Sequence, residues 1–299
     1  MGRSVVVSST LAAMGIGMLS LRAEFLALPN ASFESPSTLF VTTLVQGWEK
    51  LPKPADYDES GGFLWDQLVG QFKNTAPGAP DHLVNCDGQQ AAYLFAVPQA
   101  GISLEPRAAT GPDGPVVWEV GKAYRLTVAV LGGGGNMKEG VPLSLQLYYR
   151  DAQQGRVTLA STVVSHSAVT FPDRNHLTDF VVRVPAVRPL DVWAGQPLGI
   201  RIESTVGGES QGGYWDVDHV RLERLSEPVP RLGFQMQPGG LRLNYGTEVG
   251  YRYQLEKSSD LLDWTPVGEA AAGTGSGVEL DLPTPGEAGS FRLRVTSIP

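Results

Sequence analysis

The densest set of side chains able to do chemistry in this chain is Tyr214-Trp215-Asp216-Val217-Asp218-His219-Val220-Arg221-Leu222. Two carboxylates and an imidazole stand close together there, and Glu34, in Asn30-Ala31-Ser32-Phe33-Glu34, is a possible partner from the other end of the same domain. Such a set suits general acid–base work, or the capture of a hard cation by oxygen ligands. Period-2 alternation helps to decide between them. Val220 and Leu222 share even positions with Asp216 and Asp218, so the even face is expected to point inward and to carry Asp218 with it. A carboxylate so placed needs a metal, a salt bridge, or hydrogen bonds from backbone N–H groups. Glu34 is the natural second carboxylate, because the first and last strands of a sandwich often meet.

Other chemical motifs dissolve on inspection. Gly208-Glu209-Ser210-Gln211-Gly212 fits the Gly-x-Ser-x-Gly pattern, but a nucleophile elbow needs a strand before the serine and a helix after it. Here Gly213-Tyr214-Trp215 leads straight into a strand, so a loop is expected. Gly132 to Gly135 lacks the Lys-Ser/Thr of a phosphate loop and reads as a flexible turn. His82, His166, His176 and His219 show no metal-ligand spacing. Cys86, the one cysteine, allows no internal disulfide and is expected to be a small buried apolar side chain. No catalytic residue is assigned.

The elements that must position these residues are strands. Tyr124–Val130, Leu143–Arg150, Phe180–Val184 and Leu198–Glu203 alternate apolar and polar residues, and turn formers separate them. No long apolar stripe of helical period follows the N-terminal segment. Gly 36 and Pro 22 against only 18% charged residues favour short strands and tight turns. The predicted fold class is all-β, a β-sandwich followed by a second, smaller β-sandwich domain. The boundaries are a signal peptide at 1–23, a first domain at 24–224, a linker at 225–231 around Pro228 and Pro230, and a second domain at 232–299.

The signal rests on Arg3 followed by an apolar stretch from Ser4 to Leu21, with cleavage expected near Ala23. No membrane span is expected after its removal, and the expected location is secreted, periplasmic or on a bacterial cell surface. The net charge of −8, with no Lys/Arg cluster, argues against nucleic acid as a partner.

Four blocks together resemble the galactose-binding-like jelly rolls, a group that includes many carbohydrate-binding modules of exported bacterial proteins. They are Asn30–Glu34 with Gly47-Trp48, then Asp87–Leu94, then Gly121–Val128, then Trp215–Leu222, in the family's order over roughly residues 28–224. The resemblance implies a structural Ca²⁺ between the first and last strands, with Glu34 and Asp218 as side-chain ligands and a backbone carbonyl near Ser32. His219 stands where many relatives carry a second Asp or Asn. The segment Tyr253–Gly268 with Phe291–Val295 resembles small β-sandwich tails of exported proteins of the Verrucomicrobia type, themselves similar to fibronectin type III domains. Trp264 is expected in that domain's core.

Carbohydrate binding is the activity the jelly-roll resemblance most often implies. It calls for rings that stack on sugar faces and for planar hydrogen-bonding groups. Tyr148 leads the candidates, since it shares the polar face of its strand with Gln146 and Arg150. Trp65, Trp118 and Trp193 are the others, while Trp48 is expected in the core. The favoured function is therefore an exported, non-catalytic binding module for a polysaccharide or cell-surface glycan. The alternatives are a structural surface or matrix protein that contacts other proteins, and a calcium-dependent enzyme on the same fold, as in some cyclases. The sequence sets no oligomeric state.

Overall fold

The computed structural model describes residues 4–7, 23–105, 110–111, 114–226, 232–238, 240–247, 249–283 and 289–298. The expected signal peptide lies outside these, apart from Ser4–Val7 and Ala23, as do Glu227–Arg231 of the expected linker. The chain divides into two compact units, one of Ala23–Leu225 and the other of Ser226–Pro299 with the N-terminal residues. Among the described residues there is no α-helix, and each unit is a β-sandwich, the first of jelly-roll type.

Strands are numbered in chain order. β1 (Ser4–Val7) belongs to the smaller unit. The larger unit holds β2 (Ala23–Leu26), β3 (Val41–Thr42), β4 (Glu49–Lys50), β5 (Val69–Lys73), β6 (Gln90–Phe95), β7 (Gly101–Leu104), β8 (Thr110–Gly111), β9 (Gly114–Pro115), β10 (Lys122–Gly134), β11 (Pro142–Arg150), β12 (Arg156–Ser165), β13 (Thr178–Val184), β14 (Gly199–Ser204) and β15 (Tyr214–Ser226). One sheet has the order β13-β10-β15-β6-β5-β3, with β2 also on β15, and the other β12-β11-β14-β7-β4. The alternation explains both. Leu126, Val128, Leu143, Leu145, Ile200 and Ile202 all point between the sheets, fully buried. Trp48 joins them, its ring centroid 5.5 Å from that of Phe33.

In the smaller unit β16 (Gly233–Gln237), β17 (Gly240–Gly246) and β20 (Gly277–Pro283) form one sheet. The other runs β1-β21-β18-β19, with β18 Tyr251–Ser258, β19 Thr265–Ala272 and β21 Ser290–Ser297. Leu243, Tyr253, Leu255 and Leu293 form its core. Trp264 does not: it is half-exposed, with the Arg292 guanidinium 4.3 Å from its ring centre. A tryptophan following the turn Ser259–Asp263 leaves the strand register, and a stacked cation covers it instead.

Three expectations are corrected. Asn30–Glu34 is not a strand. Asn30 (φ 48°) and Phe33 (φ 53°) turn the chain, and the Asn30 amide holds the loop by donating to the carbonyls of Ser35 and Gln46. Gly132 to Gly134 are not a free turn but the end of β10, where side chains would collide with Trp215, His166 and Tyr214. Leu225 and Ser226, assigned to the linker, extend β15.

A further correction, one of register, concerns β15 itself. Trp215 and Val217 face the core, and so do Val220 and Leu222. Inward parity therefore changes from odd to even across Asp218 and His219, where His219 takes φ 47°. Two residues standing where the alternation allows one make a β-bulge. The bulge sits between two successive partners of one strand edge: β6 pairs Tyr214–Val217 and β2 pairs Leu222–Leu225. Asp216 consequently faces away from Trp215 rather than sharing the inward face of Val220.

Candidate functional site

Asp218 lies in this bulge, fully buried. Its Oδ2 accepts the backbone N–H of Asp87 at 2.6 Å and its Oδ1 that of His219 at 2.7 Å. Burial pushes its carboxyl up to about 7, against the pull of those two N–H groups and the Cys86 thiol. Glu34 reaches the same loop: its Oε1 accepts the N–H groups of Gln89 and Gln90, both at 2.8 Å. Ser32 Oγ donates to Asp87, and the Val220 N–H donates to the Ala31 carbonyl at 2.9 Å. The segment Asp87–Gln90 thus stands between the two carboxylates and bonds to each. Asp87 was not singled out in the sequence, and only its place at the head of the second block hinted at it.

Asp216, two residues earlier, is also pushed up to about 7 by burial, and its Oδ1 has no partner among the described residues. Cys86 is half-buried and donates to the Gln90 carbonyl at 3.2 Å; burial first, then the negative charges of Asp218, Glu34 and Asp87, hold its thiol well above the usual range. A thiol so placed stays protonated and is no nucleophile. Ser210 lies in an exposed single-turn 3₁₀ segment, as a loop reading requires.

Among the described residues no three His, Cys, Asp or Glu side chains form a ready metal group. The donor chemistry of Glu34, Asp218 and Ser32 nevertheless fits calcium. It is all oxygen, and neither Glu34 nor Asp218 has a Lys or Arg ion pair among the described residues. A calcium there would be held by these two carboxylates and by carbonyl oxygens, and would supply a structural cross-link.

The second candidate region is the outer face of β12-β11-β14-β7-β4. Register builds it as a grid. Arg150 stands beside Arg156, and Tyr148 lies between Thr158 and Gly199. Gln146 lies between Ser161 and Arg201, followed by Ser103 and Glu49. Ser144 stands beside Glu203. Tyr148 lies flat on Gly199, where any Cβ would overlap its ring. Its hydroxyl donates to Glu105 Oε1 at 2.9 Å, and Arg150 Nε donates to Glu105 Oε2 at 2.7 Å. Burial would raise the Glu105 carboxyl, but hydrogen bonds from Arg150, Tyr148 and Ser103 together hold it below its ordinary value. Arg201 takes both oxygens of Glu203, at 2.8 and 2.5 Å. Gln146 donates to Ser144 Oγ at 3.0 Å and accepts from Thr158 at 3.2 Å.

At one end this face opens into a cleft of about 730 Å³, lined by Glu49, Glu105, Arg150, Asp151, Gln154 and Gln196 among others. Of the sequence candidates only Arg150 lines it. Tyr148 and Gln146 are on the expected face but buried, roofed by neighbouring side chains. Trp118 is fully buried, with the rings of Tyr124 at 4.8 Å and Trp193 at 5.5 Å, so it is core and not a ligand platform. Trp193 is half-buried by that contact. Trp65 is half-buried as a loop plug, donating Nε1–H to the Leu51 carbonyl at 2.9 Å and packing edge-on to Tyr57. Glu49, Glu105 and Glu203 were missed, because only strand register shows that they share a face with Arg150.

No family model matches the chain, and no curated protein does. Among solved structures, the Stig cyclase Fisc from Fischerella sp. TAU aligns over 68% of this chain and 98% of its own, at 22% identity and TM-score 0.49. The CBM22-1 xylan-binding domain of Paenibacillus barcinonensis Xyn10C aligns over 71% of this chain and 100% of its own, at 12% identity and TM-score 0.40. The arabinose-bound α-L-arabinofuranosidase MgGH51 aligns over 68% of this chain and 27% of its own, at 13% identity and TM-score 0.40. Likeness at this level gives this chain neither an activity nor a ligand.

Proposed function

We propose that the larger unit is a binding module for a polysaccharide or cell-surface glycan, taken up on the outer face of β12-β11-β14-β7-β4 and its cleft. The observation that carries this is a concave opening lined by planar hydrogen-bonding side chains, among them Glu49, Glu105, Arg150, Gln154 and Gln196. Planar polar groups held in fixed geometry are what hydroxyl-rich ligands require. The proposal includes a structural calcium at Glu34 and Asp218, and export with removal of residues 1–23, supported by the apolar stretch after Arg3; the mature chain would then lack β1, the edge strand on β21. Among the described residues no helix is long and apolar enough to cross a membrane.

The test is a glycan array followed by titration calorimetry on the full chain. Binding lost in Arg150→Ala and Glu105→Gln, with melting temperature retained, is the expected result. No binding to any glycan overturns the reading. A second reading, contact with other proteins, draws on the exposed run of Leu39, Phe40, Val41 and Leu44. Concentration-dependent association in light scattering, abolished by Phe40→Ser, would favour it.

A further inference from the structure

In the smaller unit the sheet β1-β21-β18-β19 has two edges of different character. The β19 edge is blunted. It carries Pro266 and a bulge, where Val267 and Ala271 stand opposite Leu255 and Tyr253 of β18 and Gly268 takes φ 69°. Proline and bulges are devices by which a sheet edge refuses a further strand. β21 has neither. It pairs with β18 in unbroken register, from Ser290 opposite Ser258 to Ser297 opposite Tyr251, and holds no proline. Its other side is covered by β1. Ser4 stands opposite Arg294, Val5 opposite Leu293, Val6 opposite Arg292 and Val7 opposite Phe291.

β1 lies within the segment that export would remove. Without it, the backbone groups of Phe291–Arg294 that face β1 lose their partners, and a regular strand edge opens beside the core to which Phe291 and Leu293 belong. Such an edge is a template for an incoming strand. It disfavours a second copy of itself. Two β21 strands paired antiparallel about a two-fold axis keep like faces together, so the axis passes through a residue. Axes at Arg292, Leu293 or Arg294 give the greatest overlap, and each sets arginine directly opposite arginine, a repulsive cross-strand pair. β1 instead places valine and serine opposite the two arginines.

We propose that the smaller unit of the exported chain binds an extended segment of another protein by strand addition to β21, and that Ser4–Val7 fills this site until residues 1–23 are removed. The strand seated there sets the class of segment. It carries β-branched apolar residues opposite Phe291 and Leu293, and no lysine or arginine opposite Arg292 and Arg294. Main-chain hydrogen bonds supply the affinity, and alternate side chains the specificity. The inference rests on the removal of residues 1–23 and is independent of glycan binding by the larger unit.

The mass of the exported chain is measured first; retention of residues 1–23 removes the export reading and this inference with it. Residues 24–299 and the full chain are then titrated with a synthetic peptide of residues 2–9, and with the same peptide carrying Val5→Lys and Val7→Lys. Hydrogen exchange is followed over Ser290–Ser297. The full chain with Val5→Pro and Val6→Pro provides a second vacated edge should residues 24–299 fail to fold alone. Two adjacent prolines remove an N–H facing β21 whichever way β1 is phased. The expected result is saturable binding of the wild-type peptide to the vacated edge, with exchange over Ser290–Ser297 slowed about tenfold or more. Binding to the full chain is expected to be about tenfold weaker or worse, because its tethered β1 competes. The lysine peptide should not bind. A folded, vacated chain that neither binds the peptide nor gains protection over Ser290–Ser297 overturns the inference and leaves export and the binding module standing. Equal binding to the full chain overturns it as well. So does self-association of residues 24–299 that protects Ser290–Ser297, since a second copy then fills the edge.

Discussion

The backbone N–H of Asp87 donates to Asp218 across 131 residues of chain, at 2.6 Å. With Glu34 bonded to Gln89 and Gln90, this loop joins the start of the larger unit to its last strand. The contact is polar, part-buried and made to backbone, so its loss leaves unpaired donors as well as a missing bond.

Gly88→Ala should expose the tightness of this loop. Gly88 sits at φ 100°, and a Cβ there would lie 2.5 Å from Glu34 Oε1. Backbone strain at such a position costs about 1–3 kcal/mol, and displacement of the Glu34 carboxylate adds to it. Gly78, at φ 92° with open space around it, is the control that carries strain alone. Thermal melts of both variants should rank Gly88→Ala below Gly78→Ala; equal losses would mean that Glu34 moves aside freely.

Calcium should raise the melting temperature. A ligand bound only by the folded state at about 100 times its Kd adds about 2.7 kcal/mol, and for a unit of this size each kcal/mol is worth roughly 2–4 °C. Melts with EDTA and with millimolar calcium, in wild type and Glu34→Gln, measure it. An identical wild-type curve in both buffers, with no metal by elemental analysis, removes calcium from the proposal.

On mild acidification His166 should subtract from stability, against the gain expected as Asp216 and Asp218, raised to about 7, take up protons in the folded chain. Burial holds this imidazole below its ordinary value of 6.5, its Nδ1 is unpartnered among the described residues, and its ring stacks on Phe171 at 6.0 Å. The unfolded chain then takes up a proton that the folded chain refuses. The stabilisation is complete above pH 6.5 and is lost as pH falls from there through the lower folded value. The change in melting temperature from pH 7.5 to 5.5 should be more favourable in His166→Gln than in wild type; an equal change means that His166 contributes nothing.

Gly199→Ala should disable the outer face more than its size suggests. The added methyl has no room under the Tyr148 ring, and moving that ring breaks its bond to Glu105. Overpacking of this kind costs about 1–3 kcal/mol. Glycan binding and melting temperature should fall together, whereas Tyr148→Phe, which keeps the ring and removes only the hydroxyl, should lower binding with a smaller loss of stability.

The strands of both units were legible because Leu143–Arg150 and Leu198–Glu203 alternate without interruption. The polar side of β11 was legible for the same reason. What alternation could not supply was depth: Tyr148 and Gln146 face outward yet are buried, Tyr148 with the Arg150 guanidinium over its ring and Glu105 on its hydroxyl, Gln146 with Thr158 against it. Nor could it supply register, which alone places Glu203 and Arg201 beside Ser144 and Gln146. Asp216 was misplaced because a bulge breaks the parity count, and only the backbone angle of His219 reveals it. Asp218 was found as a buried, satisfied carboxylate, and the open choice among its partners narrows by the finding of two backbone N–H groups.

The bulge at Asp218 and His219 also makes β15 tolerant in one respect and brittle in another. Each half keeps its own phase, Trp215 and Val217 with β6, Val220 and Leu222 beside β2. Deleting one residue there would merge the halves into a single frame. Whichever half kept its neighbours, the other would turn apolar side chains toward water and charged ones toward the core. The extra residue therefore acts as a frame corrector, letting one uninterrupted strand carry two opposite reading phases.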